Sequence, residues 1–362
     1  MTTMTTYNFN PGPSPLPKEV LDHVQKNMFN FEQSGMGLME LSHRSALYEQ
    51  VHNQTISDLK DILRVPDDFS ILLLQGGASL QFSMIALNFL GDDQKAAYVM
   101  TGSWSEKAKK EADFYGETYV LATTKENQYK SIPDVPLQDI QNNTAYLHFT
   151  SNNTIFGTQI RSFPDADVPV IVDMSSDILS KPVDWNTVDL AYAGAQKNAG
   201  MSGVTVVIIR NSLLEKASDK VSPSLSYKQH AKSNSLYNTP PTAAIYMTGL
   251  VCDWIKQNGA IEGMTERASH KAGLLYDEID GSDGFYTGHA ETEARSFMNV
   301  TFNLPTEELE KKFLAQAKEK GFVGLNGHRS VGGCRASIYN AVPVSHVEAL
   351  VSFMKAFRSD NQ

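Results

Sequence analysis

The stretch AYAGAQKNAGMSG, Ala191 to Gly203, sets one lysine, Lys197, among small residues, just after one apolar run and just before another at Val204 to Ile209. A lysine at the lip of a buried sheet is a candidate Schiff-base nucleophile, because burial disfavours the ammonium and the neutral amine is the form that attacks a carbonyl. Gly194, Ala195, Ala199, Gly200 and Gly203 surround it with backbone rather than bulk, which leaves room for a large ligand. Read alone, the segment also suits, and more simply, a solvated lysine on a Gly-rich turn.

Upstream, VPVIVDMSSDILSKPVD contains a continuous apolar run, Val168 to Val172, ending in Asp173, 24 residues before Lys197. A carboxylate there is costly unless paired, and a protonated pyridine nitrogen is one suitable partner; a helix-capping or loop aspartate is the other reading. Phe69 to Leu74 is a predicted buried strand that leads through Gly76 and Gly77 into a helix. The glycines permit close backbone approach, and the free N–H groups of Ala78 and Ser79 suit an anion such as a phosphate, although an ordinary strand-to-helix turn has the same pattern. Ala96 to Thr101 is another predicted strand, followed by TGSWSEKAKK, in which Trp104 opens a helix. On the ligand side of an α/β sheet that ring can stack on an aromatic cofactor, or it can simply pack at the surface.

Helical and strand patterns alternate through the first two thirds of the chain, which predicts an α/β fold with a parallel sheet covered by helices on both faces. The spacing predicts helices over 17–31 and 45–65, the second carrying Leu47, Val51, Leu59, Ile62 and Leu63. The remainder reads as a second, smaller unit. Its helices are expected near 261–279, 306–320 and 345–357, and its strands near 297–303 and 336–339.

At 362 residues the chain is long enough for one large domain plus a smaller one. Its formal charge of −10 and lack of a basic run argue against nonspecific nucleic-acid binding, so an anionic substrate requires a local basic cluster. Cys252 and Cys334 alone make neither a disulfide framework nor a Cys-rich metal site, and no metal is expected. The start, MTTMTTYNFNPGPSPLP, lacks the pattern of a signal peptide and no apolar span suits a membrane, so the expected location is the cytoplasm.

Eight motifs occur in order: FNPGPSPLP (Phe9–Pro17), MELSHRS (Met39–Ser45), QGGASLQF, TGSWSEKA, DMSSDILS, GAQKNAG, YNTPPT (Tyr237–Thr242) and GHRSVGGCRASIYNAVP (Gly327–Pro343). On these motifs the chain resembles the class V, fold-type I aminotransferases that use pyridoxal 5′-phosphate, and the resemblance runs from Phe9 to the C-terminus. It implies a large domain, 17–260, with a mainly parallel seven-stranded sheet between helices. A smaller α+β domain would comprise 1–16 and 261–362. The same resemblance implies that Lys197 holds the cofactor covalently, Asp173 pairs its ring nitrogen and Trp104 stacks on its ring. Ala78, Ser79 and Gln196 would hold its phosphate, and Thr154 would touch its polar edge. Asn238 and Thr239 would reach the cofactor phosphate of a neighbouring subunit, which implies a homodimer with shared sites.

The implied substrates are L-glutamate and 3-phosphohydroxypyruvate, with 4-phosphohydroxy-L-threonine as a further substrate in some members. Arg335 resembles the residue that grips the α-carboxylate, where a bidentate fork suits the group. His43, Arg44, His328 and Arg329 are similar to residues that receive the phosphate or the glutamate side-chain carboxylate. Ser79 stands where some members carry an arginine, and Cys334 where many carry methionine. Three rival readings are an alanine- or serine-glyoxylate type of the same class, a desulfurase using Cys334, and a module that binds the cofactor without transferring amino groups. Cys334, within the strand-like CRASIYN, reads better as a small core residue, because a nucleophilic thiol needs exposure and a lowered pKa.

Overall fold

The computed structural model describes residues 5–362; residues 1–4, which the reading above assigns to the smaller domain, lie outside the described residues. Its centre is a seven-stranded sheet in the order Phe69–Leu74, Thr205–Arg210, Leu190–Gly194, Val170–Asp173, Thr144–Thr150, Lys95–Met100, Glu117–Thr123. Neighbours pair in parallel except for Thr205–Arg210, which runs antiparallel to both strands beside it. Side chains alternate between the faces: Ile71 and Leu73 join the core on one side, Leu72 and Leu74 that on the other. Helices Ala46–Leu63 and Thr242–Gln257 cover the first face, and Gly77–Phe89 and Ser103–Ala112 the second. With both faces covered, an inner strand must be apolar along its whole length, which is why Val170–Asp173 reads as a run rather than an alternation.

Several boundaries differ from the sequence reading. The helix expected over 17–31 spans Lys18–Asn27; the Asn27 amide bonds the His23 carbonyl at 3.1 Å, and Glu32 and Gln33 turn the chain with positive φ. The strand expected from Val168 begins at Val170, because Pro169 has no N–H for the ladder and only its carbonyl is used, by Leu147 at 2.8 Å. The helix expected over 45–65 spans Ala46–Leu63, with the Ser45 hydroxyl accepting the Tyr48 N–H at 3.2 Å.

The C-terminal part builds a separate core around a three-stranded antiparallel sheet, Thr287–Gly288, Asn299–Asn303 and Cys334–Ser337. Helices Ala260–Asp280, Glu307–Glu319 and Val344–Asn361 pack there, with Phe313 edge-on to both Phe302 and Phe357. The N-terminal segment belongs to this core: Tyr7–Asn8 pairs in parallel with Phe322–Val323, and Phe9 is fully buried in it. Among the described residues no helix is long and apolar enough to cross a membrane.

Candidate active site

Because six strands run the same way, their carboxyl ends share one edge, and the loops leaving that edge converge. They enclose a cavity of about 140 Å3 lined by Ala78, Ser79, Trp104, Thr154, Asp173, Gln196 and Lys197, each singled out from the sequence. A larger hollow of about 660 Å3 lies elsewhere, among the helices that carry His23, Asp58 and Tyr246. It has no lysine, and its carboxylates face no buried cation, so the chemistry resides in the smaller cavity.

Each wall of that cavity has a local cause. Gly76 and Gly77 both have positive φ, and a Cβ on Gly76 would sit 2.3 Å from Leu80, so only glycine makes this entry into the helix Gly77–Phe89. Trp104 is aimed by Ser105, whose hydroxyl accepts the N–H groups of Thr101 and Gly102 at 3.0 and 3.1 Å. Lys197 rides on a single helical turn closed by the Gly200 N–H to the Ala195 carbonyl at 2.8 Å, in the connection to the antiparallel strand.

Lys197 Nζ donates to Thr154 Oγ1 at 2.8 Å and lies 5.6 Å from the centre of the Trp104 ring. Burial brings its pKa down to about 8, with Asp173 opposing the shift and Arg335 adding to it. Asp173 is buried and accepts the Ser175 N–H at 2.9 Å. Desolvation pushes its carboxyl above the usual range, Ser175 and Lys197 pull it down, and Asp177 pushes it up. A buried carboxylate so placed is stabilised by any cation that enters the cavity. Asp177 itself is held by the Ser151 hydroxyl, the Gln159 amide at 3.1 Å and the Lys181 ammonium at 3.1 Å.

Arg335 joins this group from the other core. Only 6% exposed, it donates through Nη1 to the Thr154 carbonyl at 3.0 Å, while its buried Nε has no partner. Thr154 therefore touches both Lys197 and Arg335. His328 and Arg329 stand further out, the first half-buried and the second exposed. Desolvation lowers the His328 pKa, and the charges of Arg335, Arg329 and Lys107 lower it further. His43 and Arg44 lie on a separate loop outside the cavity, and the buried Nε2 of His43 is without a partner. Asn238 and Thr239 are also outside it, bonded to Gln75 at 3.4 and 2.7 Å through the Asn238 amide and the Thr239 carbonyl.

One part of the site was not foreseen from the residues. The Ser14 N–H donates to the Gln196 carbonyl at 3.0 Å, its hydroxyl to the Lys197 carbonyl, and a Cβ on Gly12 would stand 3.2 Å from Lys197 Cγ. The signal was the run FNPGPSPLP, whose Gly and Pro density marks a segment of special backbone. Cys334 is 2% exposed and burial pushes its thiol well above the usual range, so it is a core residue of the strand.

A buried lysine facing an aspartate at the carboxyl edge of such a sheet defines a class, and residues 6–350 match it: the chain belongs to the class-V aminotransferase family. Within that class the likeness is narrow. Phosphoserine aminotransferase of Lysinibacillus sphaericus is 58% identical over 99% of this chain and 100% of its own length. The solved phosphoserine aminotransferase of Bacillus circulans subsp. alkalophilus superposes with a TM-score of 0.96 at 51% identity, covering 99% of each chain. The pyridoxal-phosphate-bound phosphoserine aminotransferase of Trichomonas vaginalis superposes with a TM-score of 0.90 at 36% identity, over 97% of this chain and 100% of that one.

Proposed function

We propose that this chain transfers an amino group from L-glutamate to 3-phosphohydroxypyruvate, giving 2-oxoglutarate and O-phospho-L-serine, the phosphoserine aminotransferase step of serine biosynthesis. The observation that carries this reading is Lys197, a buried amine with a pKa near 8 set between Thr154 and Asp173. Pyridoxal 5′-phosphate is the cofactor, and the residues present fit it. The buried Trp104 Nε1 and Thr150 Oγ1 are without partners, the helix N-terminus after Gly77 offers free N–H groups to a phosphate, and Asp173 awaits a cation. In this reading Ala78, Ser79 and Gln196 would hold the phosphate, Trp104 would cover the ring, Asp173 would pair the ring nitrogen, and Lys197 would hold the cofactor covalently until an amino acid takes its place and frees the amine.

When bound, the cofactor withdraws electrons from the amino acid's Cα and makes its proton removable. Lys197 Nζ would take that proton and hold it for return. Its lowered pKa keeps a useful fraction of neutral amine near neutral pH, and Thr154 Oγ1 fixes its direction. Arg335 orients the α-carboxylate of either substrate through the spare Nε and the fork of its guanidinium, which sets Cα within reach of Lys197. His328 and Arg329 receive the distal anion.

The active form in this reading is a homodimer. Phe29 and Met39 are 85% and 66% exposed on the stretch leading to His43 and Arg44, an apolar surface that a second copy would cover. His43, Arg44, Asn238 and Thr239 then complete the partner's site rather than their own, which accounts for their lying outside the cavity. The chain divides into a large domain, 17–260, and a small one, 1–16 with 261–362; the separate aromatic core that includes Phe9 supports this. In this reading the reaction runs in the cytoplasm. Turnover with 3-phosphohydroxypyruvate against unphosphorylated keto acids tests the reading. A preference for pyruvate or glyoxylate would replace it with the alanine- or serine-glyoxylate type, and 4-phosphohydroxy-L-threonine belongs in the same assay.

A further inference from the structure

The anionic end of the substrate needs cations that the cavity itself does not supply. Among its lining residues Lys197 is the one cation, and Asp173 offsets it; Ser79 adds no charge. One exposed cation nearby is left unused by the rest of the fold. On the helix Ser103–Ala112, Glu106 bonds Lys125 and the Tyr129 hydroxyl, and Asp113 bonds Lys109. Lys107, between them, makes no ion pair with the described carboxylates. Its ammonium instead lies 4.3 Å from the centre of the Trp104 ring, whose centre is 5.6 Å from Lys197 Nζ.

We propose that Lys107 is a specificity residue for the phosphate of the substrate, its ammonium held at the cavity mouth by the Trp104 ring and facing the same distal anion as His328 and Arg329. The inference rests on the reading given under Proposed function and deepens it. A π face attracts an ammonium without neutralising it, unlike a carboxylate, so the charge stays available to an incoming dianion. The charge of Lys107 also reaches His328, which puts the two groups on one electrostatic site. A phosphate carries more negative charge than the side-chain carboxylate of glutamate, so the same ammonium favours the phosphorylated substrate over glutamate. The site is open to water, and salt screens it.

The test uses the cofactor-loaded enzyme and follows the two half-reactions separately, with O-phospho-L-serine and with L-glutamate. Lys107→Met keeps the aliphatic stem over the ring and removes the charge; Lys107→Arg keeps the charge. The expected result for Lys107→Met is a rise of about tenfold in KM for O-phospho-L-serine, less than threefold for L-glutamate, and kcat within twofold for both. Lys107→Arg should restore the phosphate preference, and the difference should shrink at 0.5 M salt. Equal losses on both substrates, a loss in kcat alone, or no loss would each overturn the assignment. Wild-type enzyme is the control for the underlying reading. Should it fail on O-phospho-L-serine, that reading falls; should it act while Lys107→Met keeps the preference, only the role of Lys107 falls.

Discussion

The two halves of the site are built on opposite physical terms. The half around Lys197 is buried, its groups fixed by neighbours in the same cavity: Thr154 holds the amine, Ser175 the carboxylate and Ser105 the turn under Trp104. The half around His328 and Arg329 is partly open, its one tight side-chain contact being His328 Nδ1 with the Ser330 hydroxyl at 2.6 Å. Burial tunes an amine and a carboxylate because desolvation penalises the charged form and a low dielectric strengthens the pull of each neighbouring charge. Openness is what a multiply charged substrate needs in order to enter. Thus the chemistry is concentrated where water is excluded, and the selectivity where water remains, with Arg335 joining the two through the Thr154 carbonyl.

The contrast implies that substitutions in the buried half remove turnover, whereas those in the open half change affinity. The largest expected effect is Lys197→Ala: turnover falls by about four orders of magnitude or more, and the absorbance of the covalently held cofactor is lost. Full activity in that variant would remove the basis of the assignment. Asp173→Asn keeps the shape and removes the charge, so kcat should drop about 100- to 1,000-fold with KM values little altered. A change confined to KM would mean that Asp173 is a binding group and not an electronic one.

The same contrast explains what could be read in advance. Lys197, Asp173, Trp104 and the Gly76–Gly77 turn each follow an apolar run, and a local pattern suffices to place a residue at a strand's end. Two strands of the seven-stranded sheet escaped that test. Glu117–Thr123 is the sheet edge, half exposed along its length, and its apolar run, Tyr119 to Ala122, is too short to tell a strand from a helical segment. Thr144–Thr150 carries His148, which burial keeps neutral with a pKa lowered to about 3 and which bonds the Tyr192 hydroxyl at 2.9 Å. Polar residues inside a core look like loop residues in a sequence. The reversed direction of Thr205–Arg210 is equally invisible, since pairing sense is not written in composition. Thr154, Gln196 and the outer cations entered only through resemblance, and the contact of Gly12 and Ser14 with the Lys197 loop depends on a closure of more than 180 residues.

Arg335 tests the junction. Arg335→Ala should raise KM for both L-glutamate and O-phospho-L-serine by about 10- to 100-fold, because one guanidinium serves the α-carboxylate of each. An effect on one substrate alone would refute a shared grip. The next effect is on pH. A group that must be neutral, with its pKa brought down to about 8, gives a rate that rises about tenfold per unit below that pH and levels above it. The rate at which cofactor-free protein captures pyridoxal phosphate should follow this curve. A rise continuing toward the ordinary lysine value of 10.5 would mean that Lys197 is solvated.

The smallest expected effect belongs to the open half and comes from two opposed consequences of one change. Arg329 is exposed, so removing its charge in Arg329→Ala should raise KM for O-phospho-L-serine only about three- to fivefold, since water and salt screen it. At the same time His328 loses one of the positive neighbours that lower its pKa, so its pKa should move upward. A more basic His328 carries more positive charge near neutral pH and recovers part of the lost attraction. The loss should therefore be smaller at pH 6, where His328 is more fully charged, than at pH 8, where it is neutral. Proton NMR of the His328 ring in the variant reads the shift directly, and the same KM ratio at both pH values, or one unmoved by 0.5 M salt, would place Arg329 in a closed contact and dissolve the division between the two halves.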